Sequence, residues 1–265
     1  MWKTLALVAT LGVAAGEAHC LTVSNVRTTR GILGIPREDT KFLPGDQIVL
    51  SFDIEGVTAD DDGKMSYGIT LEVLDTDGKV KFRQAPRELQ AVNALGGNRM
   101  PGYAEVKIGV QQPPGKYKLK ITVTDHSAKK SKSFTRSFEI LPLKFGLVRL
   151  HTTGDPEGLA PVPFPGEGQT LWINYAAVGF DRDEKGNPNL VTTLRVLDED
   201  GKATTPKPLT GEIKGDIPKD VKALPMQFAL QLNRSGKFTV EVAATDKLSG
   251  KKAKLSFPLR VARLK

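Results

Sequence analysis

Cysteine is almost absent from this chain of 265 residues, in which Cys20 is the only one. A single cysteine cannot form an intramolecular disulfide, which excludes the inter-sheet bridge of antibody domains. Aromatic residues are also scarce, at 6%, so the cores must be built mainly from Val, Leu and Ile, which suit strands. No apolar run after residue 20 approaches the roughly 18 residues of a membrane span. We therefore expect no transmembrane segment in the mature chain.

Basic residues are not concentrated in any segment that could bind nucleic acid. The net charge is +8, from 38 Lys and Arg against 30 Asp and Glu, and the two signs are interleaved along the chain. A nucleic-acid reader needs basic side chains gathered on one face, with aromatic rings that stack on bases. We expect no nucleic-acid partner, whereas weak attraction to anionic lipid or cell-wall polymer is compatible with this charge.

Motifs of catalysis and metal binding are missing as well. The three histidines, His19, His126 and His151, have no partner at metal-ligand spacing. The sequence contains no HExxH, CxxC, GxSxG, P-loop or GxGxxG pattern. We therefore expect neither an enzyme nor a cofactor nor a metal site. Asp and Glu side chains that converge in the fold remain the enzymatic alternative.

Two acidic loops raise the question of calcium. Residues 58–63 read TADDDG and residues 181–186 read DRDEKG, and Asp-rich loops with a Gly bend suit this oxygen-seeking cation. Neither loop supplies a bidentate Glu at its closing position, and Lys185 occupies a ligand position in the second loop. We interpret both as polar strand connections, with calcium binding as the alternative.

The first residues have the pattern of a secretory signal peptide. Lys3 gives a positive start, residues 5–15 are apolar but too short for a membrane span, and Gly16 and Ala18 fit a cleavage site. We predict a signal peptide at 1–18 and an extracytoplasmic protein, either periplasmic, secreted or on the cell surface.

Cys20 lies just beyond that site, where a lipid anchor would attach. A bacterial lipobox requires a small residue directly before the cysteine and an aliphatic residue at position −3. His19 and Glu17 stand there instead, so the sequence argues against lipidation.

An internal repeat is the strongest pattern in the sequence. Residues 48–80 align without a gap onto 171–203, with LEVLDTDGK opposite LRVLDEDGK. Further on, GKYKLKITVTD at 115–125 aligns with GKFTVEVAATD at 236–246. A period of about 120 residues fits a self-contained domain rather than a solenoid unit.

The repeat predicts one domain at 21–141 and a second at 142–265. The join, Leu141-Pro142-Leu143-Lys144, contains no Gly/Ser stretch. We expect the two domains to sit end to end with limited swing.

Alternation of apolar and polar residues predicts about seven strands in each copy. In the first copy they fall near 21–28, 47–55, 67–74, 79–83, 103–110, 116–124 and 132–140. Asp-Gly at 77–78 and 200–201 marks hairpin turns. Long connections at 84–102 and 206–223 follow the fourth strand of each copy, and PREL at 86–89 is expected to begin a short helix. Because such long loops tend to be functional, we favour them as contact surfaces.

Gly115 and Tyr117 open a long alternating strand near the end of the first copy. This pattern resembles the tyrosine corner of immunoglobulin-like folds, with Leu119 where those domains carry their second cysteine. Phe238 replaces the tyrosine in the second copy. The chain thus resembles the cysteine-free immunoglobulin-like and fibronectin-type modules of bacterial extracytoplasmic proteins. This resemblance implies an all-β fold of two tandem immunoglobulin-like β-sandwich domains.

Trp172 and Asn174 are the candidate partner contacts. If Leu171 and Ile173 face the core, these two side chains point to the other face of the strand. An exposed Trp can anchor a protein or stack on a sugar, although a loop or the neighbouring domain would cover it equally well. We expect a non-catalytic binding or scaffolding module of the cell envelope, with a protein or envelope polymer as partner. A carbohydrate-binding accessory module is the alternative, and the oligomeric state stays open.

Overall fold

All regular structure in residues 20–92, 94–215 and 217–263, the part described by the computed structural model, is β-strand. The signal peptide predicted at 1–18 lies outside the described residues. The strands of the first half are β1 (Thr22–Arg30), β2 (Ile35–Pro36), β3 (Lys41–Phe42), β4 (Gln47–Glu55), β5 (Lys64–Leu74), β6 (Val80–Val92), β7 (Arg99–Lys107), β8 (Gly115–Asp125) and β9 (Lys130–Ile140). Those of the second half are β10 (Gly146–Thr153), β11 (Thr170–Val178), β12 (Asn189–Leu197), β13 (Leu209–Lys214), β14 (Ala223–Gln231), β15 (Gly236–Asp246) and β16 (Lys252–Val261).

Each half contributes two sheets, and the strand order is the same in both halves apart from the short strands β2 and β3, which have no counterpart in the second half. The first half forms β2-β1-β4-β7 and β3-β9-β8-β5-β6, and the second half forms β10-β11-β14 and β13-β12-β15-β16. The pairs are antiparallel except β3 with β9. This is the A-B-E and G-F-C-C′ arrangement of an immunoglobulin-like sandwich, in which the strand after C joins the G-F-C sheet. The predicted tandem immunoglobulin-like fold is confirmed.

The core of each sandwich lies between its two sheets and follows the predicted alternation. In the first half one cluster contains Ile48, Leu50, Phe52 and Ile54 of β4, packed with apolar residues of β5 and β8. The matching set on β11, Leu171, Ile173, Tyr175 and Ala177, is at most 3% exposed. The opposite face of these two strands is partly buried as well, by residues that include Val49 on β4 and Val178 on β11.

The tyrosine corner predicted in the first half is present. The Tyr117 hydroxyl donates to the carbonyl oxygen of Pro113 at 3.1 Å, and the Gln112 amide donates to the same hydroxyl at 3.2 Å. Phe238 has no hydroxyl, and its ring lies beside Arg234 instead, with 5.1 Å between the guanidinium carbon and the ring centroid.

The predicted helix at 86–89 is wrong, since these residues lie within β6. The long connections are correspondingly shorter: β6 continues to Val92, and β13 occupies part of 206–223. Leu89 and Ala91 pack against the core of the first half. That burial favours the strand over the local helical preference of the sequence. The short strands β2 and β3 are further elements that alternation did not reveal.

The segment that links β1 to β4 contributes contacts between the halves. Leu43 packs against an apolar cluster of Val148, Ala176 and Val178 on the second half, and Ile35 packs against the second core. The division at 141/142 remains a prediction, although every sheet draws its strands from one side of it.

A buried carboxylate joins the halves at the same place. Asp46 is 3% exposed; its Oδ1 accepts the Arg149 backbone N–H at 2.8 Å and its Oδ2 accepts Arg37 Nη1 at 2.8 Å. Burial disfavours the charged Arg37 guanidinium, but the carboxylates of Asp46 and Asp39 outweigh it and raise its pKa. Arg149 Nε donates to the Gly45 carbonyl at 2.6 Å.

The part of the chain that the structure describes contains no helical segment with the length and hydropathy of a membrane span.

Candidate functional site

Each sandwich is open along one side, between edge strands of its opposing sheets. In the first half β6 ends one sheet and β7 ends the other, and in the second half β13 and β14 stand in the same positions. No described strand bridges either pair of edges, so a cleft runs along each opening. We name these the first cleft and the second cleft.

The first cleft consists of two adjoining cavities of about 440 and 480 Å³. Phe82, Val106 and Lys107 line both cavities. Phe82 is 49% exposed, and an aromatic ring in this position offers apolar surface to a partner. The floor of the cleft is formed by Ile69 and Leu71 at one end and by Val73, Ile108 and Ile140 at the other.

A β-bulge decides which residues of β6 face the first cleft. Arg87 pairs with Ile69 and Gln84 pairs with Leu71, so Ala85 and Pro86 together oppose one residue of β5. The extra residue changes the alternation, with the result that Phe82, Gln84 and Arg87 all line the cleft. Proline is compatible with this place because bulges and edges need fewer ladder hydrogen bonds.

Arg87 spans the cleft from one sheet to the other. Its Nη2 donates to the Tyr103 carbonyl at 2.7 Å, and its guanidinium carbon lies 4.2 Å from the centroid of the Tyr103 ring. Its buried Nε has no hydrogen-bond partner among the described residues. Glu105 is the one carboxylate among the residues that line this cavity, and no ion pair between it and Arg87 is present in the described chain.

The second cleft is a single cavity of about 740 Å³ and has a similar character. Its apolar surface includes Leu194, Val196 and Leu230, together with Leu209, which is 48% exposed. Its charged lining residues are Lys202, Lys207, Arg234 and Asp198.

Both clefts carry more basic than acidic side chains at their rims. The first is lined by Lys81, Arg87 and Lys107 against Glu105, and the second has three cations against one carboxylate. Charge of one sign along a low-dielectric cleft attracts a partner of the opposite sign. The same apolar floor and basic rim thus recur at the same edge of both sandwiches, although the residues differ.

The sequence-predicted contact loops contribute directly to these clefts. Gln84 and Arg87 belong to the predicted loop at 84–102, and Lys207 and Leu209 to the predicted loop at 206–223. Edge strands occupy much of both segments, namely the end of β6, the start of β7 and all of β13. Whether they bind a partner stays a prediction.

Trp172 and Asn174 lie elsewhere, on the outward face of β11. Both are intermediate in burial, while Leu171 and Ile173 between and beside them are buried, as the alternation predicted. The Asn174 amide donates to Thr153 Oγ1 at 2.9 Å. Gly158, in the loop between β10 and β11, lies against the Asn174 side chain. The structure does not bring these two side chains into either cleft.

The acidic loops form tight hairpin turns. Asp60 Oδ1 accepts the backbone N–H groups of Asp62 and Lys64, at 3.0 and 2.8 Å. Asp183 Oδ1 accepts the Asn187 N–H at 2.8 Å in the second half. No cluster of three or more metal-ligand side chains is found in the described ranges. The carboxylates of Asp60 and Asp183 thus cap turns in these connections. That the loops bind no calcium stays a prediction.

A pair of buried aspartates supports these loops. The internal repeat aligns Asp125 with Asp246, but the sequence alone did not indicate a role for either residue. Asp125 and Asp246 are at most 1% exposed. Asp125 accepts the backbone N–H groups of Ser127, Ala128 and Thr58. Burial disfavours the charged carboxyl, but these hydrogen bonds outweigh it, so the pKa of Asp125 lies below its ordinary value. The pKa of Asp246 is lowered in the same way, by Ser249 and backbone N–H groups that include Asp181.

Cys20, the one departure from the cysteine-free description, is exposed directly before β1. The description therefore applies to the strands of the two sandwiches and not to the whole chain.

Comparison with known proteins gives no family assignment. No family model matches the sequence, and no curated protein matches it significantly. Among solved structures, the C-terminal domain of the Streptococcus agalactiae AgI/II polypeptide BspA is 8% identical, with a TM-score of 0.31 over 91% of this chain and 100% of that one. A family 123 glycoside hydrolase from Clostridium perfringens is 14% identical, with a TM-score of 0.31 over 46% of this chain and 27% of that one. At these values the likenesses establish neither family nor function.

Proposed function

We propose that the protein is a non-catalytic binding module of the cell envelope that holds extended segments of a partner in its two open-edge clefts. The observation that carries the proposal is the recurrence of one kind of cleft, apolar inside and basic at the rim, in both sandwiches. Half-exposed apolar side chains, Phe82 and Leu209, stand at the two openings.

The shape of the openings favours an extended partner. Each cleft is bounded by two edge strands, whose outer N–H and C=O groups have no neighbouring strand. An extended segment can satisfy such groups while it places alternate side chains into pockets. The charges of Lys81 and Arg83 and the bulge at Pro86 on β6 oppose indiscriminate strand pairing, which is compatible with a selective contact.

The carbohydrate alternative lacks support from the geometry. Sugar stacking would need a row of exposed rings. The large exposed aromatic side chains among the described residues are Phe82 and Phe164, which lie in different halves, and Trp172 is partly buried on a third surface.

A pull-down from envelope extracts tests the proposed function. The double variant Phe82→Ser/Leu209→Ser removes one apolar side chain from each cleft, while Leu248→Ser makes the same kind of change outside them, at a residue that is 43% exposed. We expect partners captured by the unmodified protein and by Leu248→Ser to be lost with the double variant. An unchanged set of captured partners would show that the clefts are not the binding surface.

An extracytoplasmic location belongs to the same proposal and rests on the pattern at residues 1–18. N-terminal sequencing of the protein from the envelope fraction should give a chain that begins near His19. Retention of Met1 there would contradict export through a cleaved signal.

A further inference from the structure

We propose that Arg87 makes the first cleft a receptor for a carboxylate, carried by an acidic side chain of the extended segment. This inference rests on the proposed function and specifies the chemistry of the partner. It follows from the position of the guanidinium, from its free hydrogen-bonding capacity and from the charges around it.

Arg87 lines the cleft and has no carboxylate partner in the described chain, whereas two other arginines of the first half have one. Arg83, on the same strand, pairs with Glu72 with 2.8 Å between Nε and Oε1. Arg37 pairs with Asp39 and Asp46. A partly buried guanidinium without a counter-charge is unfavourable, because burial penalises an unpaired charge. Such an arrangement gains from a ligand that supplies the missing anion.

The guanidinium also keeps unused donors. It has five N–H groups in a planar fork, of which the hydrogen bond to the Tyr103 carbonyl uses one. The Tyr103 ring against the guanidinium limits its orientation, and stacked arginines commonly bind carboxylates with the N–H groups that remain at their edge. Tyr103 therefore acts as a positioning residue for Arg87.

Neighbouring charges favour an anion over a cation. Lys107 lines the same cavity and takes part in no ion pair among the described residues. Lys81, at the other end of the cleft, is paired with Asp75 at 3.1 Å. Arg87 and Lys107 thus face Glu105 alone, which leaves a positive excess at this end of the cleft.

The spacing along β6 defines the segment that would fit. Phe82 precedes Arg87 by five residues, of which the bulge absorbs one. The two side chains are therefore about four strand steps apart, or roughly 13 Å. An extended partner with an apolar side chain at one position and a carboxylate four residues away would place both on the same face, one beside Phe82 and the other beside Arg87.

Titration with two matched peptides, followed by amide resonances of the purified protein, tests this. One seven-residue peptide carries Val and Glu four positions apart in a Ser/Thr background, and the second has Gln in place of Glu. We expect the Glu peptide to shift resonances of 82–87 and 103–107 and to bind about 10-fold more tightly than the Gln peptide, as a charge-assisted hydrogen bond would provide. Equal affinity, or no binding of either peptide at millimolar concentration, would overturn the proposal.

Variants separate the guanidinium from a general effect of charge. Arg87→Gln should abolish the preference for Glu, and Arg87→Lys should keep part of it, because a lysine retains the charge but not the fork. Arg83→Gln removes the same charge from the opposite face of β6 and should leave the preference for the Glu peptide over the Gln peptide unchanged. Preference retained in Arg87→Gln, with its near-ultraviolet circular dichroism unchanged, would refute the assignment.

Inorganic phosphate is a third probe. If phosphate shifts the same resonances through Arg87 and the Glu peptide does not, the site is an anion site of another kind and the carboxylate proposal fails. If the peptides are not discriminated but Phe82→Ser/Leu209→Ser still loses its captured partners, the proposed function stands without this inference.

Discussion

Asp46 offers a test of how the two halves are held together. Its carboxylate is buried and accepts three hydrogen bonds, from Arg37 Nη1 and from the backbone N–H groups of Gln47 and Arg149. Asp46→Ala would leave Arg37 with Asp39 and the Lys41 carbonyl, and would leave the Arg149 amide without its acceptor. Breaking a buried pair costs about 3–5 kcal/mol, and because Arg37 keeps part of its partners we expect a loss of about 3 kcal/mol.

Two measurements check this expectation. Urea unfolding gives the free energy, and hydrogen exchange of the Arg149 amide reports the contact between the halves. Asp39→Ala is the matched control, because Asp39 pairs with the same Arg37 but is 51% exposed; it should cost less than about 1 kcal/mol. Equal costs for the two variants, or unchanged protection of the Arg149 amide in Asp46→Ala, would refute the interpretation of Asp46 as a link between the halves.

Tyr117→Phe should cost about 0.5–1.5 kcal/mol in urea unfolding, because it removes the corner hydrogen bond; no loss would mean that the bond contributes nothing. Because the pKa of Asp125 is lower in the folded state, its contribution to stability is present above about pH 4 and is lost as the pH falls below that value. Asp125→Asn should accordingly flatten the acid limb of a stability curve, and an unchanged limb would contradict this. Millimolar calcium or EDTA should leave the melting temperature unchanged, whereas a calcium-induced rise of several degrees that Asp60→Ala removes would reveal a metal site. The isolated fragments 21–141 and 142–265 should each melt cooperatively, and molten fragments that fold only together would indicate one shared core.

The sequence by itself determined the fold class and most strand positions. Alternating apolar residues such as Ile48, Leu50 and Phe52 identify a buried face, because side chains along a strand point to opposite sides. Likewise, Gly115 and Tyr117 indicate the tyrosine corner, because the Tyr117 hydroxyl bonds to a carbonyl only four residues earlier in the chain. Such features can be predicted from the sequence because each depends on residues that are close together along the chain.

Only the tertiary structure decided where the candidate site lies. The bulge at Ala85 and Pro86 that aims Arg87 into the cleft depends on pairing with β5, and the cleft itself exists because β6 and β7 end opposing sheets. The sequence likewise predicted a helix at 86–89, whereas the packing of Leu89 against the core makes this segment part of an edge strand. The contact between Asp46 and Arg149 likewise joins residues that are 103 apart in the chain. These arrangements depend on which distant strands become neighbours. The alternation of apolar and polar residues along one strand does not indicate which strand will pair with it.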